Sequence, residues 1–460
     1  MADTPHSIAA SRAALTELRG TYPEVAAEPT KRWSYFVYAL IFASFAAVAY
    51  FQLHAVVLRV IEIAEAHERV KLFLYPSALW AGMGFLLLAF RTGVWIGYRP
   101  HLPASRADAP SLTVIIPAYN EGAMVLKSIE SVVAADYPRD KLEIVVIDDG
   151  SKDDTWRYIR EAADRYPGLV TALQHEKNRG KREALALGFT RGRGEIFVTI
   201  DSDSVIERDA LLAIAGPFRD PKVGAVAGKV LVYNRASGLI PRMMHARFVL
   251  SFDMLRSVES VYNNVYCCPG ALTALRASAV REVLEGWRTQ TFLGSACTFG
   301  EDRAMTNSLL DKGYNTVYQR RAVVHTLVPE AYGKLCKMLL RWDRSYVREE
   351  IRFARIIWKR PLVTMLIALF DRIVTNLRYP IYYMSIGLLA FMVAQDPPVI
   401  IRILLAIGLV SFLNMLYFLR SERSWGFLYG VVYAYFSSIA LFWIFPYAVM
   451  SVRAKGWLTR

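Results

Sequence analysis

Cysteine is scarce in this 460-residue chain, and the four present suit neither of their common structural uses. Cys267 and Cys268 are adjacent while Cys297 and Cys336 stand alone, which gives no zinc spacing and no disulfide framework. A reducing compartment suits such thiols. Acidic residues are also short, 41 Asp and Glu against 55 Lys and Arg, leaving a formal charge of +14. No RNA- or DNA-binding module accompanies that excess, so nucleic acid is not an expected partner. Much of it lies beside apolar runs instead, at Lys31-Arg32, Arg91, Arg99, Arg106, Arg341, Arg344, Arg348, Arg352 and Arg355, as at a cytosolic membrane surface. Charge is missing altogether from 33–53 and 72–90, each long enough to cross about 30 Å of hydrocarbon as a helix. The length of the first run, and Asp3, Glu17, Glu24 and Glu28 before it, argue against a cleaved signal peptide.

With 54% apolar residues the chain divides by composition. Residues 1–30 lack periodicity and are expected to be disordered, and 31–98 hold two transmembrane helices. A Pro-containing stretch opens a soluble domain over 99–330. Interface helices follow over 331–360, then membrane segments over 361–450 and a cytosolic tail over 451–460. The turn Gln395-Asp396-Pro397-Pro398 carries no Lys or Arg, as expected outside the cell. One span over 425–450 would strand Arg453, Lys455 and Arg460 outside, so a turn-back near Ser437-Ser438 or Pro446 is expected.

Inside the soluble domain, β-branched runs at 112–117, 142–148, 170–174 and 195–201 alternate with helical patterns, which predicts βαβ units and a mainly parallel sheet. Ligands of such sheets bind beyond the carboxyl ends of the strands. Asp148-Asp149 and Asp201-Ser202-Asp203 both fall at such ends. Farther on, 239–256 reads as an amphipathic helix. Leu335, Met338, Leu339, Trp342 and Tyr346 form an apolar stripe beside a cationic one of Lys334, Lys337, Arg341, Arg344 and Arg348, a helix for the headgroup layer.

These residues support a specific chemistry, although each has a plainer use. Asp201 and Asp203 can hold Mg²⁺ or Mn²⁺ against phosphates, or cap the next helix. Backbone amides at the helix start 178–182, with Lys181, can bind a diphosphate, or be a solvated basic turn. Tyr119 and Glu121 can meet a base and ribose, or cap a helix. Asp302 can take the proton from an acceptor hydroxyl, or belong with Glu301 and Arg303 to an ordinary charged helix start. Arg341 can neutralise a leaving diphosphate, and Trp342 can stack on an acceptor sugar.

The stretches PAYNE, VVIDDGS, NRGKREAL, TIDSD, CCPG, FGEDRAMTN, TLVPE, RWDRS and the terminal GWLTR occur in that order. From about residue 110 onward they resemble processive family 2 inverting glycosyltransferases, of the hyaluronan synthase and rhizobial chitin-oligosaccharide synthase type. The resemblance implies an α/β, GT-A-like cytosolic nucleotide-sugar domain joined to a transmembrane bundle in the inner membrane. It also implies that Asp149 contacts uridine, Asp203 holds the metal and Asp302 is the base. Arg341 and Trp342 would stand at the mouth of a translocation path, with Cys268 and Trp457 on the acceptor side. The expected partners are a UDP-sugar donor, UDP-N-acetylglucosamine first, a growing glycan and the bilayer. One departure is Met338 where the family motif has glutamine, since a thioether cannot replace an amide's donor and acceptor. The rival readings are transfer of one sugar to a lipid carrier and a degenerate scaffold for export.

Overall fold

The computed structural model describes residues 29–51 and 68–454, with isolated positions between. Residues 1–28 and 455–460, which include Trp457 and nearly all of the segment expected to be disordered, lie outside the described residues.

Among the described residues ten strands occur in chain order: β1 (Leu112–Ala118), β2 (Leu142–Asp148), β3 (Val170–Gln174), β4 (Ile196–Thr199), β5 (Ser204–Ile206), β6 (Val223–Val232), β7 (Thr273–Arg276), a short hairpin of β8 (Thr291–Phe292) and β9 (Ser295–Ala296), and β10 (Asn315–Thr326). Eight form one sheet in the order β3-β2-β1-β4-β7-β6-β10-β5. β1 is parallel to both β2 and β4, and β2 to β3, because helical crossovers return the chain to the same end of the sheet each time. Their apolar sequences, LTVIIPA and LEIVVID, suit strands covered on both faces, and β1 is buried throughout. Strand order reverses at β1 and β4, which opens a crevice beyond their carboxyl ends. The other half is mixed: β7 runs antiparallel to β4 and β6, and β5 to β10.

Among the described residues, four helices are long and apolar enough to cross a membrane, at Lys31–Phe51, Leu74–Gly97, Leu362–Gln395 and Val399–Ser421. A pair of shorter helices, Trp425–Ala440 and Ile444–Met450, passes the same test together but is bent by 53°. Its break at 441–443 falls between the two turn positions considered above.

The sheet domain is fastened to these helices through specific polar contacts. Trp95 Nε1 donates to the Asp253 carbonyl at 2.6 Å, and Tyr98 Oη to that of Tyr318 at 2.9 Å. The Asp253 carboxylate lies 2.7 Å from Lys229 and 3.1 Å from Arg320, all three on or against the sheet. Asp253 sits in a π-helical turn, Leu250–Arg256, that interrupts the helix expected over 239–256. A second expectation also changes. In the Tyr332–Ile356 helix Lys334 and Lys337 are exposed, but Arg344 and Arg348 are buried. Arg344 donates to Ser451 Oγ at 2.9 Å and Arg348 to the Phe299 carbonyl, so these two members of the cationic stripe face protein.

Candidate active site

The loops after β1, β2 and β4 and the start of the helix Glu301–Asp311 converge on one cleft. Asp149, directly after β2, is 3% exposed and uses both carboxylate oxygens. The Arg179 and Gly180 amides donate to it at 2.9 and 2.7 Å, and His175 Nδ1 lies 2.8 Å away. A helix start attracts an anion, and here the anion is the protein's own. The amides assigned from sequence to a diphosphate therefore hold Asp149 instead. Glu121 accepts from Ser202 Oγ at 2.9 Å, which ties the β1 loop to the Asp-x-Asp loop. Tyr119 is half-buried beside it.

Lys181 reaches inward from its helix start, hydrogen-bonded to Asp201 and 3.2 Å from Glu301. Burial works against its charge, but Asp201 and Glu301 outweigh burial and raise the ammonium above its ordinary range. Asp201, Glu301 and Asp302 line the same cleft with Gly270 and Cys268. Asp203 adjoins Asp201 and accepts from Thr326 Oγ1 at 3.2 Å. Burial, then the charge of Asp201, lifts the Asp203 carboxyl to about 6. Burial and then Glu301 also raise Asp302. Arg341 enters from the Tyr332–Ile356 helix, where burial depresses its basicity against the pull of Glu301, Asp201, Asp302 and Asp203.

Three residues at or beside the cleft, Glu301, His175 and Cys267, were assigned no role from sequence. Glu301 was overshadowed by its neighbour Asp302, yet it is Glu301 that pairs with Lys181. His175 follows an edge strand and supports Asp149. In the Cys267-Cys268 pair, Cys268 is 1% exposed on the cleft floor, whereas the Cys267 thiol approaches Asp302 Oδ2 at 3.8 Å.

Trp342, the next residue of the helix, packs away from these carboxylates against Phe248 and Arg247. Its ring is 6.3 Å from that of Phe248, and the Arg247 guanidinium stands 5.7 Å from its centre. Arg247 in turn borders a second cavity, of about 270 Å³, between this helix and the apolar helices. Arg341 thus acts on the carboxylate cleft, while the next residue, Trp342, packs against Arg247, which lines the second cavity.

The family 2 glycosyl transferase model matches residues 113–284. An N-acetylglucosaminyltransferase of Azorhizobium caulinodans is 30% identical over 357 residues, 76% of this chain and 87% of that protein. The chain belongs to glycosyltransferase family 2. A hyaluronan synthase of Streptococcus pyogenes is 31% identical over 304 residues, 64% of this glycosyltransferase and 71% of the synthase. In fold, the family 2 chain resembles a mannosyltransferase from Pyrobaculum calidifontis solved with GDP-Man and Mn²⁺. The TM-score is 0.57 at 23% identity, covering 81% of this chain and 99% of that one.

The donor set of the glycosyltransferase fits a hard divalent cation. Asp201, Asp203, Glu301 and Asp302 outnumber the cations Lys181, Arg341 and Arg182 that act on them, and the Asp203 carboxyl is raised by burial first and by Asp201 second. Among the described residues no group of three or more His, Cys, Asp or Glu side chains makes a closed metal cage. A Mg²⁺- or Mn²⁺-sized ion on Asp201 and Asp203 would therefore complete its shell with phosphate and water oxygens.

Proposed function

We propose that this chain is a processive, inverting glycan synthase of the inner membrane, with its sheet domain in the cytoplasm. It builds a β-linked polymer from a UDP-sugar, UDP-N-acetylglucosamine first, and passes the product outward. The observation that carries this reading is the arrangement of Arg341 and Trp342. Arg341 acts on the carboxylates of the cleft, and Trp342 packs beside Arg247, which lines a cavity among the apolar helices together with Leu339 and Asp343 of the same helix.

In this reading Tyr119 and Glu121 border the uridine, and Asp149 shapes that subsite by fixing the 178–180 turn. A divalent cation on Asp201 and Asp203 supplies charge neutralisation to the diphosphate. Lys181 keeps Asp201 and Glu301 in place, and Arg341 faces the leaving group. Asp302 accepts the acceptor hydroxyl's proton, and its raised carboxyl makes it a stronger base than a solvated aspartate. The hydroxyl oxygen bonds to the anomeric carbon from the face opposite the diphosphate, the old C–O bond breaks, and UDP leaves with its electron pair. Trp342 offers a ring to the sugar just added.

The test is incubation of the full chain in lipid nanodiscs with a panel of UDP-sugars and Mn²⁺ or Mg²⁺, followed by mass analysis. A ladder of lengthening products is expected from UDP-N-acetylglucosamine, alone or with a second donor. Addition of one sugar to a lipid and nothing longer would establish the non-processive alternative. No transfer from any donor would leave the scaffold reading.

A further inference from the structure

We propose that Glu349 is a positioning residue for the transfer: its buried carboxylate fixes Asp302 relative to Arg341 without touching donor or acceptor. This rests on the assignment of Asp302 as the base in the reading above. Glu349 lies on the helix Tyr332–Ile356, about two turns or about 12 Å beyond Arg341. It is 0% exposed.

Each carboxylate oxygen has its own donor. Oε1 accepts from Gln290 Nε2 at 2.7 Å, and Oε2 from Asn307 Nδ2 at 3.0 Å. Asn307 belongs to the helix Glu301–Asp311, which starts with the cleft residues Glu301 and Asp302. Gln290 leads to the other side of the cleft, because its Oε1 accepts at 3.1 Å from Arg182, the neighbour of Lys181. Arg182 also donates to the Trp287 carbonyl, and Trp287 Nε1 to that of Glu301 at 2.9 Å. The segments that carry Lys181, Asp302 and Arg341 thus meet at one carboxylate. Another tie, from Arg352 Nη2 to Ser308 Oγ at 3.0 Å, joins two of the three.

Position 349 requires a carboxylate and not an amide of the same shape. Arg182 takes the oxygen of the Gln290 amide, which turns its NH₂ toward Glu349. The Asn307 NH₂ is held too, since Nδ2 also donates to the Glu349 carbonyl at 3.0 Å. Two NH₂ groups therefore point at one side chain, and a side chain with two accepting ends satisfies both. An amide at 349 sets NH₂ against NH₂ in a buried site. The surroundings leave little slack: at φ +74° Gly300 has no room for a Cβ against Ser345 Oγ, and Arg348 donates to the Phe299 carbonyl. A mismatch is then relieved by moving the segment 290–302, which ends on Asp302.

Glu349→Gln and the exchange Gln290→Glu with Glu349→Gln test this in the full chain in phosphatidylcholine nanodiscs. In the exchange the new carboxylate accepts from Arg182 and from the new amide, whose oxygen accepts from Asn307. Every donor regains an acceptor, and the cluster regains its charge. UDP release from UDP-N-acetylglucosamine with Mn²⁺ gives kcat and KM, and calorimetry gives the affinity for UDP. Glu349→Gln should lower kcat by about 10- to 100-fold, the scale of a misplacement of about 1 Å. UDP affinity should hold, because Tyr119, Glu121 and Asp149 stand on loops that Glu349 does not contact. The exchange should recover most of the lost kcat, as coupled neighbours do in a double-mutant cycle. Parental kcat in Glu349→Gln, an exchange as slow as the single change, or a loss of UDP affinity equal to that of kcat would each overturn the proposal. Should Glu349→Gln fail to fold, Gln290→Ala removes the same link at a half-buried position, and parental kcat there would overturn it. Asp302→Asn measured alongside separates the two claims. If it is as active as the parent, the base assignment falls; if it is inactive beside a fully active Glu349→Gln, this inference alone falls.

Discussion

Replacing Gly270 with alanine should damage catalysis while sparing the fold. A Cβ at this position would stand 2.8 Å from Lys181 Nζ and 3.2 and 3.5 Å from the two Asp201 carboxylate oxygens. Its nearest neighbours are thus the mobile ends of two side chains, with no backbone among them, and Gly270 is absent from the positive-φ residues. The chain can therefore accept the methyl if Lys181 swings aside. Doing so breaks its charge-assisted bond to Asp201 and loosens its 3.2 Å contact with Glu301. A hydrogen bond to a charged group contributes about 1.5–3 kcal/mol. If that difference appears in the transition state, kcat/KM falls by about 10- to 150-fold at about 1.4 kcal/mol per tenfold. UDP release measures the rate, and thermal unfolding of the same preparation should move by no more than a few degrees. Gly286→Ala is the control, since nothing lies within 4 Å of a Cβ there, and it should keep parental activity. A Gly270→Ala protein with parental kcat/KM would refute the claim that the Lys181–Asp201 contact matters to the reaction.

Asp302→Asn should lower kcat by about 10²–10⁴-fold while UDP binding measured by calorimetry persists. Because burial and Glu301 raise Asp302, the acidic limb of the parent's kcat profile should lie above the ordinary aspartate range, with activity lost as pH falls through it. Asp253→Asn leaves Lys229 and Arg320 against a neutral amide and should cost about 3–5 kcal/mol in denaturant unfolding. Burial opposes the Asp253 charge, but Lys229 and Arg320 hold its carboxyl down at about 2. Its stabilisation is complete above the unfolded value of 3.8 and disappears as pH falls from there through about 2, which acid titration of the two proteins should show. Gly150→Ala differs from Gly270→Ala. At φ +72° its Cβ would lie 2.6–2.7 Å from the Lys177 and Asn178 backbone, so both the melting temperature and the nucleotide-sugar KM should worsen.

Much of this site was legible because strand runs and their terminal acids are local signals. β1, β2 and β3 and the placement of Asp148-Asp149 and Asp201-Ser202-Asp203 follow from β-branched runs with helical patterns between them. What was not legible depends on partners distant in the chain. Nothing local reveals that Arg344 and Arg348 are buried, because their acceptors are Ser451 and the Phe299 carbonyl. The Arg179 and Gly180 amides look available to phosphate until Asp149 is seen against them. Neighbouring carboxylates such as Glu301 and Asp302 are equivalent as letters, and only the position of Lys181 separates their roles. The mixed half of the sheet escaped for the same reason, since β7 and β5 gain their antiparallel partners through long connections.

The cleft and the apolar helices are also joined by charge. Arg303, next to Asp302, pairs with Glu350, and Glu350 lies 3.3 Å from Arg372 and accepts from Asn376 Nδ2 at 2.8 Å. Arg372 pairs with Asp371, which is 2.6 Å from Arg91 at the end of the second apolar helix. Signs alternate along this chain, so each carboxylate stands between two guanidiniums, and most of the members are largely buried. Breaking such a pair leaves an uncompensated buried charge, a penalty of several kcal/mol that no surface ion pair would impose. The helix bearing Asp302 and the helix Leu362–Gln395 therefore cannot slide past one another without losing a link. That helix also carries Arg378, Tyr379, Tyr382 and Tyr383 into the second cavity. A displacement of that cavity wall would thus be resisted at Arg303, the residue beside Asp302.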